Sequence, residues 1–167
     1  MEQAIAHETP DLQSPMTIER VFDLCADDMA RVDELIRNSL DSDVVLIRQI
    51  AEYIIGSGGK RLRPMLVVLA SRACGYEGEH HVTLAAIIEF IHTATLLHDD
   101  VVDESDMRRG KDSAHAVWGN AASVLVGDFL YSRSFQMMVT VESMRVMEVL
   151  SDATNTIAEG EVEQLLN

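Results

Sequence analysis

Proline is nearly missing from this chain: only Pro64 follows the first fifteen residues, and glycine is held to nine positions. With 47% apolar residues, so few breakers exclude a disordered polypeptide and favour an ordered, helical one. Cysteine is almost as rare. Cys25 and Cys74 make no CxxC pair, no zinc spacing and no disulfide framework, which leaves reduced side chains of a cytoplasmic protein as the expectation. Bases are outnumbered 13 to 28, and a net charge of -15 speaks against nucleic acid as a partner. The longest strictly apolar run, Met65 to Ala70, is far short of a membrane span, so no integral membrane protein is expected. Met1 to Asp11 lacks the cationic and apolar regions of a signal peptide. Internal repeats, low-complexity tracts and strand-like alternation are also absent.

At 167 residues the chain has the length of one domain with its own core. Residues 1–13 are polar and expected to be disordered; 14–167 are expected to form one helical unit. Ser14-Pro15 reads as an N-cap and first helical residue, and Ile18, Val21, Phe22, Cys25, Met29, Val32, Ile36 and Leu40 then recur at helical steps through Met16 to Leu40. A second helix is expected over Val44 to Ile55, and a third opens near Met65 with Pro64 in its first turn. A fourth begins at Val82 and is apolar on most of its circumference through Ala85 to Leu97, the mark of a helix in the middle of a bundle. The fifth is expected to be capped by Asn120 and to run through Val124, Leu125, Phe129, Phe135 and Met138, and the small residues Gly119, Ala121, Ala122, Ser123 and Gly127 in its first half point to close helix packing. The sixth spans Ser143 to Asn167, with Met147, Leu150, Ile157, Val162 and Leu165 on its apolar side. His115 and Trp118 fall in the loop before the fifth helix and are expected to pack as a pair.

Six of the 13 bases lie in two short clusters: Lys60, Arg61 and Arg63, then Arg108, Arg109 and Lys111. The first follows Gly56-Ser57-Gly58-Gly59 at a helix N-terminus, where exposed N–H groups and the helix dipole both attract anions. A basic loop pointing into water is the competing account. The second cluster faces five carboxylates in His98-Asp99-Asp100-Val101-Val102-Asp103-Glu104-Ser105-Asp106-Met107-Arg108-Arg109-Gly110. Asp99 and Asp103 stand at i and i+4, so both hang from one face of the fourth helix, with Asp100 about 100° round. That end carries the negative pole of the dipole, so stacked acids cost stability there unless a cation offsets them. Metal ions bridging carboxylates to a diphosphate, with arginine forks on the remaining oxygens, would satisfy both signs.

With Gly58-Gly59-Lys60-Arg61-Leu62-Arg63-Pro64, His92, Leu96 to Asp103 and Arg108-Arg109-Gly110 in this order, residues 16–167 resemble the trans-isoprenyl diphosphate synthases, and among them the long-chain, octaprenyl-type members that make quinone side chains. The resemblance implies an all-α fold, the N-terminal half of an isoprenoid synthase-type helical bundle. It implies that Asp99, Asp100 and Asp103 hold Mg²⁺ on an allylic diphosphate and that Arg108 binds the same group. Lys60, Arg61, Arg63, His92 and Arg109 fall to isopentenyl diphosphate. Ala94 and Thr95, about one turn below Asp99, are small where bulky residues stop elongation in this family, which implies a deep channel and a long product; Phe135 and Met138 are candidates for its floor. A homodimer is also implied.

Members of that family are roughly twice as long, and their second aspartate-rich motif would follow Asn167. This chain alone is therefore expected to have little or no prenyl transfer activity. Two other classes share parts of the pattern. A class I terpene cyclase also uses DDxxD but needs no second diphosphate site such as Lys60 to Arg63. A non-catalytic subunit of a heteromeric synthase would be short, yet such subunits tend to lose the aspartates that stand here.

Overall fold

The computed structural model describes residues 17–56, 61–108 and 110–166. Lys60 and Arg109 lie outside the described residues, as do Ser14, Pro15 and the rest of the stretch before Thr17. The elements are, in order, α1 (Ile18–Ser39), α2 (Val45–Gly56), α3 (Leu62–Ala73), α4 (His80–Val102), β1 (Met107–Arg108), β2 (Lys111–Asp112), α5 (Ala114–Trp118), α6 (Asn120–Thr140) and α7 (Met144–Gln164). The fold is all-α, as the sequence predicts, apart from one small antiparallel ribbon in which Met107 faces Asp112 and Arg108 faces Lys111.

α4 is the central element and packs against α6, α3 and α1. Ala85, Ala86, Ile87, Phe90, Ile91, Ala94 and Leu97 are all buried along it, which explains an apolar pattern that runs round the helix instead of along one stripe. By length and composition α4 could cross a membrane, but 61% of that window is buried inside the bundle. Val32 and Ile36 of α1, Ile50 of α2, Val68 of α3, and Leu130 and Met138 of α6 complete the same core.

Several local expectations are corrected. The cap of α1 is Thr17, whose Oγ1 accepts from the Arg20 amide at 3.4 Å, so the helix starts at Ile18; the expected start at Met16 lies outside the described residues. Ile18 and Phe22 are exposed, and Asp28 takes a buried place on that face through Arg72 and His81. α3 begins at Leu62, ahead of the apolar run that starts at Met65, with Arg61 turning the chain at φ 47° before it; Pro64 lies within the first turn, as expected. Gly119, at φ 87°, precedes α6, and Asn120 is its first residue instead of its cap. His115 and Trp118 lie in α5, where they pack separately: His115 hydrogen-bonds Ser113 and Trp118 stands edge-on to Tyr53.

α6 packs closely through its small residues, as their recurrence in the sequence predicts. Leu125 is exposed, while Ser123, Val126, Gly127, Leu130 and Ser134 face inward. Small residues allow α6 to approach α4 closely. The Ser123 hydroxyl donates to the Leu97 carbonyl at 3.0 Å, and a Cβ on Gly127 would lie 2.6 Å from Cδ2 of His98. On α7, Leu150 and Thr154 are buried, but Ile157, Val162 and Leu165 are exposed: α7 packs chiefly on α6, Ile157 borders an open cavity beside α4, and the helix lies at the edge of the bundle.

Candidate functional site

α4 organises two sites at different heights. Nearer its middle, the Arg63 guanidinium lies 2.9 Å from Nε2 of His92, so two residues predicted for one anion site come together across 29 positions of sequence. One turn earlier on α4, Glu89 accepts from Arg61 at 2.7 Å, and Asp33 of α1 lies 3.2 Å from the Arg61 Nε.

Two helical turns beyond His92, about 10 Å along the axis, Asp99 stands at the rim of a cavity. This space of about 410 Å³ opens between α4, α6 and α7. Ile91, Thr95, His98 and Asp99 line it from α4, Asp128 and Tyr131 from α6, and Ile157 and Glu161 from α7. Its wall is mostly apolar with acids at one end. Thr95 faces the cavity and its hydroxyl donates to the His92 carbonyl at 2.9 Å. Ala94 is fully buried and is not among the lining residues. Neither Phe135 nor Met138 lines the cavity: Met138 is core, and Phe135 packs edge-on against Tyr131, which does line it, with ring centroids 5.4 Å apart.

The acidic end is crowded. Burial pushes the Asp99 carboxyl up to about 6, and the neighbouring charges of Glu161 and Asp103 add to the rise while Arg108 opposes it. Beyond Asp99 the helix closes with the Asp103 amide donating to the Asp99 carbonyl at 2.7 Å and the Ser105 amide to the Asp100 carbonyl at 3.0 Å. Glu104 adopts a left-handed φ of 51°, which turns the chain back over the helix end. The ribbon that follows lays Arg108 on Asp100. Its Nε is 2.8 and 2.7 Å from the two carboxylate oxygens, and this bonding pushes the guanidinium pKa up. Asp100, 2% exposed, is thus turned inward to an arginine while Asp99 faces the cavity.

Among the described residues, no three His, Cys, Asp or Glu side chains converge closely enough to hold a metal ion as they stand. The donor chemistry nevertheless fits a hard divalent cation. Asp99 and Asp103 would supply oxygen ligands with Glu161 beside them, and the repulsion among these carboxylates is the kind that such an ion relieves. Glu161 and Asp128 were not singled out by the sequence. Their only signal is an acid on a helix, and the 62 positions between Glu161 and Asp99 close only through the packing of α7.

A helical bundle with a basic site and an acid-rimmed apolar cavity on one central helix defines a class, and comparison with known proteins agrees. Residues 44–167 match the polyprenyl synthetase family model, and the chain belongs to that family. It is 64% identical over 152 residues to octaprenyl diphosphate synthase of Escherichia coli K12, covering 91% of this chain and 47% of that protein. A polyprenyl synthase from Caulobacter crescentus, solved with calcium and isoprenyl diphosphate, superposes with a TM-score of 0.87 at 52% identity, over 92% of this chain and 47% of that one. A decaprenyl diphosphate synthase from Rhodobacter capsulatus gives 0.84 at 54% identity, over 88% and 46%. The chain spans about half the length of the curated relatives it matches.

Proposed function

We propose that this chain carries the isopentenyl diphosphate site and one of the metal-binding clusters of a long-chain, octaprenyl-type diphosphate synthase that serves quinone side chains. One observation carries the reading: α4 holds His92 against Arg63 and, two turns on, presents Asp99 to an apolar cavity. Lys60, Arg63, His92 and Arg109 bind isopentenyl diphosphate, and Arg108 turns from Asp100 to the allylic diphosphate. Asp99, Asp100 and Asp103 would hold Mg²⁺, which supplies positive charge at the leaving diphosphate.

In the reaction, the allylic C–O bond breaks and its electron pair leaves with diphosphate, where arginine donors stabilise the developing charge. The double bond of isopentenyl diphosphate attacks the allylic carbon to form a new C–C bond. A proton is then lost to the departing diphosphate, restoring a double bond. Ile91, Tyr131 and Ile157 keep water from the cationic carbon, and the modest side chain of Thr95 leaves room for the growing chain.

Titrations of the chain with isopentenyl diphosphate and, separately, with Mg²⁺ test this. Both should bind; Arg63→Ala should abolish the first alone and Asp99→Ala the second alone. Binding of neither by the folded chain would sink the proposal. In a radiolabelled condensation assay the 167-residue chain by itself should show little or no turnover, because it spans only about half of a relative's length. A cyclase reading fares worse, since a cyclase has no use for the Arg63–His92 pair. The expected setting is a cytoplasmic homodimer; the free thiols of Cys25 and Cys74 and the exposed apolar residues of α6 and α7 support it.

A further inference from the structure

We propose that Glu89 and Arg61 form a positioning pair that sets the isopentenyl diphosphate site, and that Arg61 acts through this pair without touching the diphosphate. The inference rests on the isopentenyl diphosphate reading of Arg63 and His92. Arg61 resembles its basic neighbours in sequence, but its side chain is turned into the bundle and only 17% exposed. There it joins three helices: it is the residue before α3, it donates to Glu89 of α4 at 2.7 Å, and its Nε lies 3.2 Å from Asp33 of α1. Glu89 is 7% exposed, so its charge has left water and depends on this partner.

The backbone points the same way. Arg61 has φ 47° and ψ 37°, a left-handed conformation that a non-glycine residue keeps only where its surroundings impose it. That turn starts α3 and sends Arg63, two residues on, across to His92. Glu89 and His92 are themselves one turn apart on α4. Arg61–Glu89 and Arg63–His92 are therefore two rungs between the same two segments, and the first fixes the height of the second. A guanidinium held by two carboxylates is largely neutralised, which makes it a weak anion ligand but a strong anchor.

The pair is tested on the 167-residue chain by a mutant cycle with isopentenyl diphosphate as titrant. Glu89→Gln and Arg61→Gln should each weaken binding about tenfold, and the double variant should be no weaker than either, as expected of residues that act as one unit. Mn²⁺ binding at the Asp99 end should stay within about twofold, which separates a local effect from general loss of structure. Arg61→Gln costing far more than Glu89→Gln, with additive effects in the double variant, would make Arg61 a direct ligand and overturn the inference. A second readout is independent of the titrant: the ¹⁵N shifts of the His92 ring in the unliganded chain should move in Glu89→Gln. Unchanged shifts would overturn the pair whatever the ligand does. Failure of the wild-type chain to bind isopentenyl diphosphate while those shifts move would instead count against the functional reading and leave the pair standing.

Discussion

At the scale of single residues, packing gives some side chains duties that their type does not announce. Gly127 is one. It meets the His98 ring, whose Nε2 lies 3.2 Å from the Val124 carbonyl and 3.3 Å from Asp128, so a methyl group there must push the ring away. Gly127→Ala should cost about 1–3 kcal/mol in urea unfolding and move the His98 ring signals. Asp28 is another. Burial raises its pKa, but hydrogen bonds and charge from Arg72 and His81 outweigh that and hold it below the ordinary 3.8. A carboxyl depressed on folding stabilises above its unfolded pKa and loses that contribution as pH falls below it. Unfolding free energy should therefore fall as pH drops through and below the ordinary carboxyl range, and Asp28→Asn should flatten the fall while costing about 2 kcal/mol at pH 7.

Among the helices, α7 leans heavily on local interactions, because it packs chiefly along α6 at the edge of the bundle. Ser143 caps it by accepting from the Val146 amide at 3.3 Å. Ser143→Ala should cost about 1 kcal/mol, read as faster hydrogen exchange at the first amides of α7 while those of α4 stay protected. The contrast with α4 also shows what a sequence pattern can reveal. An apolar circumference identified α4 as central because burial on every side leaves no polar stripe. On α6 the apolar pattern said less: the inward face joins Val126, Leu130 and Met138 to Ser123, Gly127 and Ser134, whose value lies in small volume, and Leu125 faces out. Hydrophobic periodicity reports transfer from water and is blind to close approach.

For the whole molecule, Val162 and Leu165 on α7 and Leu125 and Val139 on α6 are large apolar side chains exposed to water, the kind of surface that favours association where such side chains lie together. Concentration-dependent association in sedimentation velocity is expected, and Val162→Glu with Leu165→Glu should reduce it without loss of helicity; a monodisperse wild-type monomer at high concentration would contradict this. The cavity is likewise a property of the assembled helices, with its walls on α4, α6 and α7.

By itself the sequence determined the helical class, the central place of α4 and the two charged motifs with their order. Those follow from short-range rules: periodicity, capping, and the incompatibility of clustered like charges with a helix end. Only the tertiary structure decided which charge meets which. It gave Arg61 to Glu89 and Asp33, Arg108 to Asp100, and Glu161 to the neighbourhood of Asp99. Such partners sit on different helices, and a charge chooses among carboxylates by distance and desolvation, quantities that do not exist until the helices have packed.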